Sequence, residues 1–525
     1  MRWGNSFKKL AILAAVVVFA LYHWSRTILP LSSISINQFF DPVIDNLVHA
    51  PSLKDTYIIK AKQFGINDDH DFLRLYLSSC LLVPDSTKEE LTLKHKNYVK
   101  YLFSSENTVD AYAPVRKGTK AWNDYKGKNG IVYIGGGKYS WISFLSIVQL
   151  RKTGSKTPVE VFIPSIEEYD QKFCEEILPQ YNARCLVFKD PFLGKRRLQL
   201  TGYQYKMLAL LMSSYENTMY VDSDVNPLHN PDFLFTSELY RKNGLLLWPD
   251  HWARTTSPDF YDIVGIDVRE KKVRHSNKDL KKDPVPPLSE GTFQNSDFHD
   301  FENTIPNPTV EAGVLLVNKS THVRTLQLAL YYNVLGPDFY YPLLTQGGAG
   351  EGDKDTFNAA AHVLDEPYHL CAKQFRWIGY HNKDKDAFDA KGLGIHDPVG
   401  ALADEENAKV LFIHCSYPKY FPGTVAPELA YSTGEHIRMY DNVNENVGYD
   451  VDLRLMENFA KYFCKNYKAA GVQSKYEETW AGTFLPYVKE EYTQFEATCE
   501  ELFLPHLEWL RKETKYRNTN KHGSL

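Results

Sequence analysis

"GYQYKMLALLMSSYENTMYVDSD", residues Gly202–Asp224, sets the reading of the whole chain. Leu208, Leu211, Met212 and Tyr215 recur at helical spacing and predict one buried stripe. Lys206 falls near the start of that helix, on a different face from the stripe. Met219–Val221 then favour a strand, which ends in Asp222-Ser223-Asp224. A helix leading straight into a short apolar strand is the alternation of an α/β protein. Side chains alternate along an extended chain, so Asp222 and Asp224 are expected to point the same way. Two carboxylates that close repel, and a cation is needed to keep both ionised. A hard divalent ion suits them and leaves positions open for phosphate oxygens. The plainer alternative is a polar turn that only ends the strand.

The alternation continues on both sides. Upstream, Ile131–Ile134 reads as a strand, Gly135, Gly136 and Gly137 as a turn, and Trp141–Leu150 as a helix. Thr157–Pro164 and Ala183–Phe188 are further strands, with "DQKFCEEILPQY" a helix between them. This predicts a mostly parallel central sheet flanked by helices, and nucleotides bind at the carboxyl ends of such strands. The three glycines lie at such an end, where backbone N–H groups can approach a ligand. Their spacing matches neither the dinucleotide fingerprint nor the P-loop, so a tight turn is the alternative. Lys206 could reach donor phosphates or steady the aspartate pair, with a solvated surface lysine as the alternative.

Downstream, Gly244–Trp252 is another strand. Seven Lys and Arg residues crowd Asp267–Pro284, a pattern expected of a solvated loop. Glu311–Asn333 is a strand running into a helix, with a glycosylation sequon at Asn318. Thr345–Leu364 sets Glu351 and Asp353 among glycines ahead of a helix, a place to grip sugar hydroxyls; helix capping by Asp353 or Asp355 is the alternative. Val410–Gly423 is a last strand carrying His414 to its end, where it could complete a metal shell begun by the aspartates. From Val451 the chain reads as helical, with no catalytic constellation.

Composition bounds the function class. The 525 residues are 43% hydrophobic and 24% charged, ordinary for a globular chain long enough for two to four domains. A net charge of −5 gives no support to a nucleic-acid partner. None of the seven cysteines forms a CxxC pair, which argues against a zinc site. In an oxidising lumen the shortest pairings are Cys174 with Cys185 and Cys464 with Cys499. Arg2, Lys8 and Lys9 precede an apolar run from Leu10 to Tyr22, and Trp24 with Ile28–Leu31 lengthens it. An uncleaved signal-anchor is expected, with a cleaved signal peptide as the alternative. The expected layout is a cytosolic tail over 1–9, a membrane span over 10–31, and a partly helical lumenal stem over 32–129. The body follows over 130–440, with a helical extension packed on it over 441–525.

Four blocks carry a family resemblance: "GGGKYSWISFLSIVQLRKTGSKTPVEVFIP", "GYQYKMLALLMSSYENTMYVDSDVNPLHNPDFLF", "LLLWPDHWARTTSPDFYDIVG" and "YYPLLTQGGAGEGDKDTF". With the later E-x-G-x-L-L-x-N strand and the terminal histidine, the chain resembles metal-dependent GT-A-type nucleotide-sugar transferases. It is most similar to the fungal Golgi mannosyltransferases of glycosyltransferase family 71, over about Gly130 to Pro422. Within them it looks most like the α-1,2-mannosyltransferases that start or extend branches on the α-1,6-mannose backbone of N-linked mannan. The resemblance implies GDP-mannose as donor, Mn²⁺ held by Asp222, Asp224 and His414, and net retention. It implies a mannan or N-glycan acceptor, a type II Golgi membrane anchor, other Golgi mannosyltransferases as partners and a role in the fungal cell wall. Glu351, Asp353 and Glu311 are the candidates for gripping mannose or acceptor. Retention is compatible with a carboxylate nucleophile or with same-face attack. Met219-Tyr220-Val221 is bulkier and more polar than such a strand is expected to be. The alternatives are an α-1,3-mannosyltransferase of the same family, an enzyme of this layout using a UDP-sugar, and a non-catalytic mannan-binding membrane protein.

Overall fold

Among the described residues thirteen strands follow in chain order: β1 (Asn129–Ile134), β2 (Val159–Ile163), β3 (Ala183–Val187), β4 (Asn217–Val221), β5 (Val225–Pro227), β6 (Leu245–Pro249), β7 (Arg269–Lys272), β8 (Phe301–Glu302), β9 (Val310–Asn318), β10 (His369–Leu370), β11 (Arg376–Asn382), β12 (Ala387–His396) and β13 (Val410–His414). This computed structural model describes residues 37–68, 70, 72–104, 127–188, 198, 200–468 and 480–522. The expected tail and anchor, residues 1–31, lie outside the described residues; among those described, no helix is long and apolar enough to cross a membrane.

Seven strands form a central sheet in the order β10-β6-β9-β4-β1-β2-β3. Its neighbours pair parallel except at β9, which runs antiparallel to both β4 and β6. The sheet is therefore mixed and mostly parallel, the α/β architecture expected. Both faces are covered, which is why these strands read as unbroken apolar runs. Ile131 and Tyr133 of β1, Met219 and Val221 of β4, and Val314 and Leu316 of β9 enter one core layer. Val132, Tyr220, Leu315 and Val317 enter the other.

The helix Lys138–Lys152 lies between the first layer and the C-terminal helices Val451–Phe463, Pro486–Thr498 and Leu504–His522, so Ser140–Leu150 is buried all round. The second layer holds the helices Tyr205–Met212 and Lys319–Val334, with Phe40, Leu53 and Leu91 from the N-terminal region. Cys174–Cys185 and Cys464–Cys499 are disulfide-bonded.

Three local expectations change. The segment 173–181 is not a regular helix but a π turn followed by a 3₁₀ turn around Pro179, whose missing N–H cannot continue a helical ladder. Tyr205–Met212 has no single buried stripe: Lys206–Met212 is buried throughout. The basic segment 267–284 is more than a solvated loop. It contributes β7, which pairs with β8, and it buries Lys272 in a charged contact with Asp279.

A second sheet, β11-β12-β13-β5, is antiparallel throughout. β13 belongs here rather than to the central sheet. This small sheet closes over the carboxyl ends of the central strands and brings in His414.

Candidate active site

Four central strands present polar turns at one edge. β1 runs out into Gly135–Gly137, β4 into Asp222 and β6 into Asp250, while the reversed β9 begins there with Glu311 near its start. This is the edge where open α/β sheets bind ligands.

Asp222 and Asp224 do not converge by strand alternation. Val225 N–H donates to Asp222 O at 3.0 Å, which closes a β-turn over 222–225 and starts β5. Asp222 N–H donates to Gly313 O at 2.7 Å, tying the turn to β9. β5 pairs with β13 so that Val225 faces His414, and Cys415 N–H donates to Asp224 O at 3.0 Å. Pairing of the small sheet thus sets His414 beside the acidic turn.

His414 stands between two acids. Its Nε2 is 3.4 Å from Asp224 Oδ1 and its Nδ1 is 3.1 Å from Glu311 Oε1. Glu311 Oε1 also accepts Gly313 N–H at 2.6 Å. Lys419 Nζ donates to the other oxygen of Asp224. Burial alone would raise the Asp224 carboxyl, but His414 and Lys419 overcome it and hold it well below the usual carboxylate range. Burial likewise opposes the low value of Glu311, which His414, Gly313 N–H and Lys206 bring down to about 2. His414 is correspondingly raised against its own burial by the two acids.

Lys206 is buried, not a surface lysine. Its Nζ donates to Ala312 O at 2.8 Å and lies 3.0 Å from Asp353 Oδ2 and 3.6 Å from Asp222 Oδ2. Burial raises the Asp353 carboxyl, Lys206 pulls it back, and the Asp222 charge adds to the rise. Tyr220 Oη donates to Asp222 Oδ1 at 2.6 Å. That bond gives the polar residue in β4 a place.

The structure therefore brings Asp222, Asp224, His414, Glu311, Lys206 and Asp353 into one cluster. Glu351 stands apart, its Oε2 accepting Thr345 Oγ1 at 2.8 Å and Tyr57 Oη at 3.2 Å. Neither Asp353 nor Asp355 caps the helix Thr356–Val363 with its side chain; Asp355 is spent on a fully buried pair with Arg254 at 3.0 Å. In the glycine turn, Gly135 N–H donates to Phe162 O at 2.8 Å and Gly136 N–H to Ser140 Oγ at 2.9 Å. Gly136 has φ +94° and Gly137 φ +51°, a backbone that favours glycine, and a Cβ at Gly137 would meet nothing within 4 Å. The Gly137 end of the turn is open.

The donor set fits a divalent ion. One ligand atom each from Asp222, Asp224 and His414 lie within 4.8 Å of one another. Atoms sharing a small ion at about 2.1 Å stand at most about 4.2 Å apart, so closure by less than an ångström brings them into range. Two carboxylates with one imidazole suit a small divalent ion.

A family model described as mannosyltransferase matches residues 128–399. The alpha-1,2-mannosyltransferase MNN2 of Candida albicans is 46% identical over 495 residues, covering 90% of this chain and 83% of the relative. The alpha-1,2-mannosyltransferase MNN2 of Saccharomyces cerevisiae is 33% identical, covering 79% of this chain and 72% of the relative. The chain belongs to the mannosyltransferase family. Among solved structures, the glycosyltransferase GlyE of Streptococcus pneumoniae is 14% identical with a TM-score of 0.31, covering 64% of each chain. So loose a likeness carries no argument.

In this mannosyltransferase-family chain, sequence reasoning missed three site groups. Lys419 lies only five residues beyond His414, and a lone cation in that aromatic, proline-rich stretch was its signal. Tyr220 was visible as the polar interruption of the strand. Asp250, buried and paired with Lys354, follows Pro249 at the end of β6, and position after a strand end was the clue.

Proposed function

We propose that the chain is an α-1,2-mannosyltransferase that moves mannose from GDP-mannose, with retention, to the α-1,6-mannose backbone of N-linked mannan or its branches. The proposal includes a GT-A-type catalytic body, Mn²⁺, a type II anchor in the Golgi membrane and a role in the cell wall. One observation carries it: Asp222, Asp224 and His414 converge at the ligand-binding edge of the sheet, in a chain whose relatives are named alpha-1,2-mannosyltransferases.

Asp222, Asp224 and His414 would hold the ion. When bound, it supplies positive charge to the departing diphosphate. Glu311 accepts from His414 Nδ1 and so orients Nε2 toward the ion. Lys419 keeps Asp224 ionised. Lys206 neutralises Asp222 and Asp353, which lets two acids stand close together in a buried place. The open Gly137 turn gives the donor's backbone contacts, and Asp353 and Glu351 are the acids nearest the Gly-rich segment for sugar hydroxyls.

The test is to incubate the lumenal part of the chain with GDP-mannose, Mn²⁺ and an α-1,6-mannooligosaccharide, and to map the linkage formed. An α-1,2-mannosyl product is expected. UDP release from a UDP-sugar with no GDP release from GDP-mannose, or mannan binding with no nucleotide release, overturns the reading.

A further inference from the structure

We propose that Trp377, backed by His251, Trp252 and Phe375, forms the subsite that receives the acceptor oligosaccharide. This rests on the transferase reading above and adds where the second substrate lies.

The small sheet supplies the geometry. Trp377 pairs with Leu393, and Leu393 pairs with His414. Residues directly opposite in adjacent strands share a face. Trp377, Leu393 and His414 therefore form one row on one face of the small sheet, while Ile378 and Ile413 lie on the other. Trp377 stands two strand spacings from His414, about 10 Å. That is beyond the cation cluster and on the same face of the small sheet.

The row ends in an aromatic platform. Trp377 packs edge-to-face on Phe375 at 5.0 Å and on His251 at 5.4 Å, and His251 packs on Trp252 at 4.9 Å. Trp377 remains 43% exposed, an indole left in water on a strand that could have buried it. The strand beneath it is held still: Asn442 Nδ2 donates to Trp377 O at 2.9 Å, and Asn442 Oδ1 accepts Gly379 N–H at 3.1 Å. A rigid, exposed aromatic surface beside a catalytic cleft is suited to the apolar C–H face of a pyranose ring.

The platform is joined to the acidic cluster a second way. His251 directly follows Asp250, whose carboxylate is held by Lys354, and the Glu311 charge acts on both. That ion pair is self-neutralised, so the surroundings suit an uncharged ligand.

The experiment is steady-state kinetics of Trp377→Ala and Trp377→Phe with an α-1,6-mannooligosaccharide at saturating GDP-mannose and Mn²⁺. Trp377→Ala is expected to raise the acceptor KM by about tenfold, the size of one lost aromatic contact. Trp377→Phe recovers most of that, and the GDP-mannose KM shifts less than twofold. Leu402→Ala, an exposed apolar residue on another element, moves neither constant. An acceptor KM within twofold of wild type in Trp377→Ala overturns the subsite, as does a GDP-mannose KM that rises in step. Calorimetric titration of the mannooligosaccharide alone separates this from the donor reading. Binding to the wild-type chain that is lost in Trp377→Ala supports the subsite even if no mannose is transferred. Equal binding by both, or binding by neither, overturns it.

Discussion

At the scale of single residues, the site is an argument about where charge is allowed to sit. Asp222 is partly open, with its side chain 28% exposed, whereas Asp224 is buried between His414 and Lys419. Asp222→Ala is therefore expected to lower mannosyl transfer by at least about 10²–10³-fold, the scale of a lost electrostatic group at a reaction centre. Its unfolding midpoint should stay near wild type, as circular dichroism in denaturant would show. Native-rate transfer by that variant ends the metal reading. Lys206→Met should behave differently. It strips the cation from the buried Asp353 and from the half-buried Asp222, and is expected to cost roughly 3–5 kcal/mol of stability. The double variant Lys206→Met/Asp353→Asn should regain part of that loss in urea unfolding; no recovery means that Lys206 acts through packing rather than charge. Asp222, Asp224 and His414 were legible because carboxylates and a histidine at strand ends are few. Lys206 was legible as a residue but not as a buried one. Its partners Asp353 and Ala312 lie more than a hundred positions away, and no local pattern shows that distance closing. Lys419 was overlooked for a related reason: a lysine near the end of a strand is ordinarily solvated, so its position alone did not mark it.

At the scale of elements, period and neighbourhood fixed six of the seven central strands but neither the two-residue β10 nor the small sheet. β1, β2, β3, β4, β6 and β9 were readable as apolar runs between helices. β5 has three residues and β11 begins with a charged one, so neither carries a strand signal strong enough to pair in advance. β13 was read as a strand but its sheet could not be, since pairing depends on β5, nearly two hundred residues upstream. The helix Val451–Phe463 illustrates a second hidden dependence. Asp452, in its first turn, accepts the N–H groups of Met439 and Tyr440 at 2.7 and 3.1 Å. Burial pushes its carboxyl up to about 7, with Asp450 adding to the rise and Arg438 opposing it. The folded chain thus binds a proton more tightly than the unfolded one. The contribution to stability is full below the ordinary value of 3.8 and is lost as pH rises through about 7. Asp452→Asn keeps an acceptor and removes the titration. Its stability relative to wild type, from urea midpoints across pH 4 to 8, should therefore climb with pH and level off above about 7. A difference that stays flat across that range would show that Asp452 is already ionised in the folded chain.

At the scale of the whole molecule, the sheet is a two-sided object and neither side is closed by the family-matched segment alone. The match ends at residue 399, yet His414 and Lys419 lie beyond it, and the layer against Lys138–Lys152 is completed only by the C-terminal helices. Trp141 packs against Phe459 and Phe463, and Phe144 against Tyr462 and Phe484. Trp141 Nε1 also donates to Tyr420 O at 2.9 Å, and Tyr420 itself packs on Phe459. The extension therefore braces the segment that carries Lys419 to Asp224. A helical tail with no catalytic residue of its own reads in sequence as an accessory, because the surface it covers belongs to a distant helix whose apolar residues already look accounted for by the sheet. A chain ending at Asp450 is expected to expose that aromatic layer and to aggregate, and size-exclusion chromatography should show no monodisperse species. Joining the missing helices as a separate polypeptide should not restore transfer readily, since the layer must form with the rest of the core. If the shortened chain instead ran as a soluble monomer and transferred mannose at the full-length rate, the helices would be a cover rather than part of the core. The bracing of Lys419 would then have to come from the small sheet alone.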